Sequence, residues 1–188
     1  MPDRVCVFID GSNFYHACRD NLGGRTDINL GAFSAWLVTP TRHQVRTYYY
    51  NCPVRPGSTP DAVRGQQSFY GRLHRTPYLE VRLGKLVPRD SYCSGCNTTK
   101  QVWTEKGVDM RIGIDMLSGA IKNIYDTAVL VSGDADFAEA LKAVKETGRH
   151  VEVATFAANR AQELLQVADV CRDLTAADLR PFFIRPPI

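Results

Sequence analysis

Two short, unbroken apolar runs, each stopping at an acid-bearing turn, constrain this chain more than any other feature. The first is Val5 to Ile9, inside Arg4-Val5-Cys6-Val7-Phe8-Ile9-Asp10. The second is Thr127 to Val131, which leads into Ser132-Gly133-Asp134-Ala135-Asp136-Phe137. A strand with one wet face alternates apolar and polar residues. A run without alternation is covered on both faces, as central strands of parallel sheets are. Each run is also followed by helix signals. Gly11 permits a tight turn, and Ser12 or Asn13 can cap a helix over about Phe14 to Asn21, closed by Gly23 and Gly24. Phe137 to Thr147 reads as the second helix, with Gly148 as its stop.

The rest of the chain repeats this alternation. Further helices are predicted over Leu30–Val38, Asp61–Arg75, Lys106–Lys122 and Asn159–Val167. Further strands are predicted at Gln44–Tyr50, Tyr78–Leu83 and His150–Thr155, with an edge strand at Val170–Leu174. Strands alternating with helices imply one α/β domain: a mostly parallel sheet of roughly five or six strands with helices on both faces. A chain of 188 residues, 44% hydrophobic, fills one core and not two. The domain is expected over residues 1–180, followed by a tail at 181–188 whose Pro-rich end, Arg185 to Ile188, should fray. Gly84 to Thr104 has no clear period. It reads as an irregular insertion or an extended hairpin, and it carries Cys93-Ser94-Gly95-Cys96.

The net charge of +3 permits nucleic-acid binding without arguing for it. No apolar run approaches the roughly 20 residues of a membrane span, and Val5 to Ile9 is too short for a signal core. The expected compartment is the cytoplasm, where the six cysteines stay mostly reduced. Oligomeric state is not legible.

The acids carry the chemistry. In open α/β sheets, ligands bind at the carboxyl ends of strands, and Asp10, Asp134 and Asp136 follow strands. Asp109 lies in the first turn of a helix that precedes one of those strands, so the acids can meet at one sheet edge. Carboxylates sharing a cleft repel one another unless a cation joins them. Hard oxygen donors select Mg²⁺ or Mn²⁺, which would activate water at a phosphoryl group. Each acid also has a plainer explanation: Asp10, Asp134 and Asp136 as caps or turn residues, Asp109 as an ordinary first-turn acid. Asp115, six residues beyond Asp109, lies about 120° round the helix. It reads as a supporting acid or a partner of Arg111.

Nucleotide-cradling glycine loops and a serine-hydrolase elbow are absent from the sequence. The four histidines form no motif. Cys93 and Cys96 are half of a zinc site, which Cys52 and a histidine would have to complete across the fold; the alternative is a tight turn with two free thiols.

Three blocks together resemble the signature of NYN domains, in their bacterial LabA-like branch. They are Phe8-Ile9-Asp10-Gly11-Ser12-Asn13, Lys106-Gly107-Val108-Asp109-Met110-Arg111-Ile112-Gly113-Ile114-Asp115 and Leu130-Val131-Ser132-Gly133-Asp134-Ala135-Asp136-Phe137. NYN domains are similar to PIN nucleases. The resemblance implies a Rossmann-like, PIN-type three-layer sandwich and metal-dependent RNA cleavage. Asp10 and Asn13 fall in the first block, Asp109 and Asp115 in the second, and Asp134 and Asp136 in the third. On this reading Asp10, Asp109, Asp134 and Asp136 hold Mg²⁺ or Mn²⁺. Ser12, Asn13, Lys106 and Arg111 contact a single-stranded or loop RNA, with Arg64, Arg72, Tyr15 and Tyr49 as further candidates. The alternatives are a non-catalytic RNA-binding or regulatory module and a metal-dependent phosphatase.

Overall fold

The central strand β1 (Arg4–Asp10) shows why the chain layers as it does. Its side chains alternate between two cores. Val5, Val7 and Ile9 pack with α1 (Gly11–Asn21) and α2 (Leu30–Val38). Cys6 and Phe8 face the other way, onto Ile112 and Met116 of α4 (Val108–Ile121) and Leu141 of α5 (Ala138–Glu146). Both faces of the strand are therefore dry, which is what an unbroken apolar run requires. At about 1.5–3 kcal/mol for each large aliphatic or aromatic side chain removed from water, this strand anchors the fold.

The computed structural model describes residues 2–184. The remaining strands of the sheet are β2 (His43–Asn51), β3 (Leu79–Leu83), β6 (Thr127–Val131), β7 (His150–Phe156) and β8 (Val170–Leu174). With β1 they make a six-stranded sheet in the order β3-β2-β1-β6-β7-β8. Every neighbouring pair in it is parallel. Helices α3 (Pro60–His74) and α6 (Gln162–Val167) complete the two outer layers. The expected α/β sandwich is thus the observed one. After β1 the chain steps outward to β2 and β3, then crosses back to β6 on the other side of β1. That reversal opens a crevice between the carboxyl ends of β1 and β6, where ligands bind in folds of this order.

Between β3 and α4 the chain forms a regular antiparallel hairpin, β4 (Lys85–Cys93) with β5 (Thr98–Lys106), outside the main sheet. Its strands are mostly exposed on both faces. No alternation marks it in the sequence because neither face belongs to a core. Lys106 ends this hairpin, paired with Lys85, and does not open the helix as expected. Gly107 separates the two elements at φ 80°, a left-handed conformation that suits glycine.

The C-terminal boundary also differs from expectation. After the short helix α7 (Ala176–Leu179), Phe182 packs on Phe33 and Trp36, with ring centres 5.9 and 5.8 Å away. Arg25 covers the Phe183 ring at 3.7 Å. Phe182 and Phe183 belong to the core layer because their rings find an apolar seat there. The expected fraying of 185–188 lies outside the described residues. Among the described residues, no helix is long and apolar enough to cross a membrane.

Candidate functional site

Asp10 is both the last residue of β1 and the N-cap of α1. Its Oδ1 accepts the Asn13 backbone N–H at 3.1 Å, so the first helical turn starts at Gly11, not at Phe14 as expected. Its Oδ2 accepts from the Ser132 hydroxyl at 3.3 Å. Ser132 in turn accepts the Asp134 backbone N–H at 3.3 Å. One hydroxyl thus ties the end of β1 to the turn after β6. A second tie runs through Asn13, whose Oδ1 accepts the Gly133 N–H at 3.0 Å. Gly133 has no room for a side chain: a Cβ there would lie 1.9 Å from the Asn159 carbonyl oxygen. Asp134 accepts the Asp136 N–H at 3.0 Å and opens the helical turn leading to α5.

These ties frame a cavity of about 350 Å³ at the crevice. Asp10, Asp109 and Asp134 line it, with Ser12 and Asn13 beside them. The structure adds three residues that sequence reasoning missed: Glu105, His16 and Asn159. His16 lies three residues after Asn13 on α1, a spacing that puts both on one helix face. Glu105 had no legible signal, because it belongs to the hairpin whose strands show no pattern.

Other expected site residues lie elsewhere. Asp136 is exposed and does not line the cavity, although its charge reaches Asp109. Lys106 also stays out: successive residues on a strand point to opposite sides, and Glu105 takes the inner one. Arg111 donates to the Leu83 carbonyl at 3.1 Å. Asp115 does not support the acids. It accepts from the Tyr50 hydroxyl at 2.9 Å and pairs with Arg82 at 2.5 Å, with Arg111 only 3.9 Å away. Its position on the turn of α4 facing β2 and β3 accounts for this. Arg64 pairs with Asp61 on the exposed side of α3.

The zinc half-site is not completed across the fold. Cys93 and Cys96 are exposed at the hairpin tip, whereas Cys52 is buried at its base, its thiol 3.6 Å from the Lys85 carbonyl. At roughly 3.4 Å per residue the two ends of a strand such as β4 stand more than about 25 Å apart.

Burial and mutual repulsion raise the carboxyls of Asp10 and Asp109 in this cavity. Asp10 is only 4% exposed. Burial pushes its carboxyl up to about 6; the Asn13 N–H and Ser132 hydroxyl oppose this, while the charges of Asp109 and Asp134 add to it. Asp109 is raised by burial and then by Asp134 and Asp136. Four carboxylates border the cavity, and neither Lys nor Arg lines it. Among the described residues, no three acid, histidine or cysteine side chains converge to grip one ion directly. The donor set nevertheless suits Mg²⁺ or Mn²⁺, which take oxygen ligands and keep several waters, so one or two carboxylates suffice.

A doubly covered parallel sheet with carboxylates gathered at its switch point defines a Rossmann-like domain with an acidic cleft. The chain belongs to the NYN domain family, whose model matches residues 4–175. The fold is of the nuclease-like, PIN type. The chain is 28% identical over 184 residues to the Low amplitude and bright protein LabA of Synechococcus elongatus, covering 96% of this chain and 88% of that one. It also resembles the crystal structure of a protein of unknown function from Vibrio parahaemolyticus, with a TM-score of 0.66, 22% identity, and 95% and 96% of the two chains covered. That likeness concerns the fold alone.

Proposed function

We propose that this chain is a Mg²⁺- or Mn²⁺-dependent endoribonuclease acting in the cytoplasm on single-stranded or loop RNA. One observation carries the reading: four carboxylates border one cavity at the sheet's switch point, with no basic side chain in its lining. Such a cavity repels a phosphodiester unless a divalent cation bridges them. Asp10, Asp109 and Asp134 would hold that cation, one or two of them directly and the rest through its water shell, as would Asp136. When bound, the ion supplies Lewis acidity at a phosphoryl oxygen and makes a water molecule a better nucleophile.

The chain's own groups do the positioning. Asn13 commits its carbonyl oxygen to Gly133 N–H, which leaves its amide N–H₂ as a donor for a phosphate oxygen. Ser12 offers a second hydroxyl donor at the same rim. His16 is in place to pass a proton between the cleft and solvent. Ser132 holds the Asp10 carboxylate in one orientation.

The test is a panel of labelled RNA, labelled DNA and nitrophenyl phosphate, each with Mg²⁺, Mn²⁺ or chelator. Wild-type protein should cut RNA internally only with metal, and Asp10→Asn and Asp134→Asn should not. Equal cleavage by the folded variants would sink the assignment. Metal-independent RNA binding without cleavage would make the protein a binding module, and turnover of the small ester alone a phosphatase.

A further inference from the structure

A second cavity lies beside the acidic one. It measures about 730 Å³, within the range of small-molecule sites. Ser12, His16 and Glu105 border both cavities, so the two are neighbours. Their chemistry differs sharply. The larger one is walled by Phe69 and Tyr70 of α3, Tyr49 at the end of β2, and Phe14 and Tyr15 of α1. Tyr15 is 49% exposed and stands at the rim. Arg72 is its arginine, with the guanidinium 5.9 Å from the Phe69 ring centre.

We propose that this aromatic cavity is a nucleobase pocket, which receives one unpaired base beside the phosphodiester held at the acids. The inference rests on the nuclease reading and deepens it: the unpaired nucleotide must be the one beside the phosphodiester at the acids. The ligand needs a flat apolar face a few ångströms from an anionic phosphate, and a nucleotide within a strand has both. A base within an A-form duplex is stacked and paired, so its face is unavailable to Phe69 or Tyr15. It enters only if it is splayed out or already single-stranded.

The polar lining decides the kind of recognition. Asn51 already donates to the Tyr49 hydroxyl and accepts the Cys52 N–H, at 3.0 and 2.7 Å. Gln66 accepts the Val54 N–H and donates to the Cys52 carbonyl, at 2.7 and 3.1 Å. Both amides hold the loop after β2. The aromatic faces of Phe69, Tyr70 and Tyr15 are thus the part of the lining suited to any base, because every base has a π-face.

Gly65 supplies the test. It lines the cavity from α3, and a Cβ there meets nothing within 4 Å. Gly65→Leu therefore places a bulky side chain at the cavity wall on α3, away from the acids, and it replaces a poor helix former by a good one. Binding is measured with the Asp10→Asn background, which prevents cleavage, and a short single-stranded RNA carrying 2-aminopurine at successive positions. One position should lose fluorescence on binding, and an abasic residue there should weaken affinity about tenfold or more, as expected for one stacked base. Gly65→Leu should bind the intact strand no better than the abasic one. In the otherwise wild-type protein, Gly65→Leu should leave the metal-induced rise in Tm unchanged. Intact and abasic strands binding equally, or Gly65→Leu binding like its parent, overturns the pocket. Cleavage indifferent to both changes would retain the nuclease and remove the pocket. Base-dependent binding by a protein that cuts nothing would do the reverse.

Discussion

Replacing Asp10 by Asn removes one charge while keeping the shape that caps α1. Asn can still accept the Asn13 N–H and meet the Ser132 hydroxyl, the two partners of the native carboxylate. The difference between the proteins is therefore electrostatic. An Asp in the unfolded chain titrates near 3.9. In the folded protein burial, with added repulsion from Asp109 and Asp134, pushes Asp10 up to about 6. As pH rises from about 4 to 6 the unfolded chain releases this proton first, and the folded state loses stability relative to it. The loss is complete above the folded value. About two units at about 1.4 kcal/mol each gives about 3 kcal/mol at pH 7.5. The asparagine variant does not carry this cost. For a domain of this size, that is a Tm higher by about 6–12 °C in chelator at pH 7.5, shrinking towards zero near pH 4. Saturating Mg²⁺ or Mn²⁺ should reverse the order, because only the wild type keeps the full ligand set and gains stability by binding. Thermal unfolding of both proteins across this pH range, with and without metal, is the assay. A Tm difference that does not change with pH would refute the argument from burial and charge.

Other perturbations probe the frame of the site. Gly133→Ala drives a Cβ into the Asn159 carbonyl, so it should cost at least about 2 kcal/mol in urea unfolding and displace Asp134. Arg42→Ala breaks a largely buried pair with Glu152 (2.7 Å) and strips hydrogen bonds from the Leu37 and Val38 carbonyls. A loss of about 3–5 kcal/mol is expected by the same measurement. Thiol labelling of the native protein should modify Cys93 and Cys96 quickly and Cys171 more slowly. Cys6, Cys18 and Cys52 should react only on unfolding, since they are buried; fast labelling of Cys52 would contradict its place at the hairpin base.

Local patterns in the sequence were enough to set the covered strands at Val5–Ile9 and Thr127–Val131, because an unbroken apolar run has no stable place except between two layers. They also set the acids at strand ends, since capping and turn chemistry act within three or four residues. Asp10, Ser12, Asn13 and Asp134, legible in this way, line one cavity with Asp109, a first-turn acid of α4. What the sequence did not reveal depends on which distant segments become neighbours. The strand order that sets β1 beside β6 is such a fact. So is the hairpin, whose polar residues carry no period because no core reads them, and with it the arrival of Glu105 in place of Lys106. Asp115 went to Arg82 and Tyr50 because β2 and β3 pack under that turn of α4. The aromatic cavity joins Tyr15, Tyr49 and Arg72, each named from the sequence alone, to Phe14, Phe69 and Tyr70, which nothing local marks as their neighbours. Periodicity and caps are short-range and can be read along a chain; lateral order and cavities arise only when the layers close on one another, and tertiary packing alone decides them.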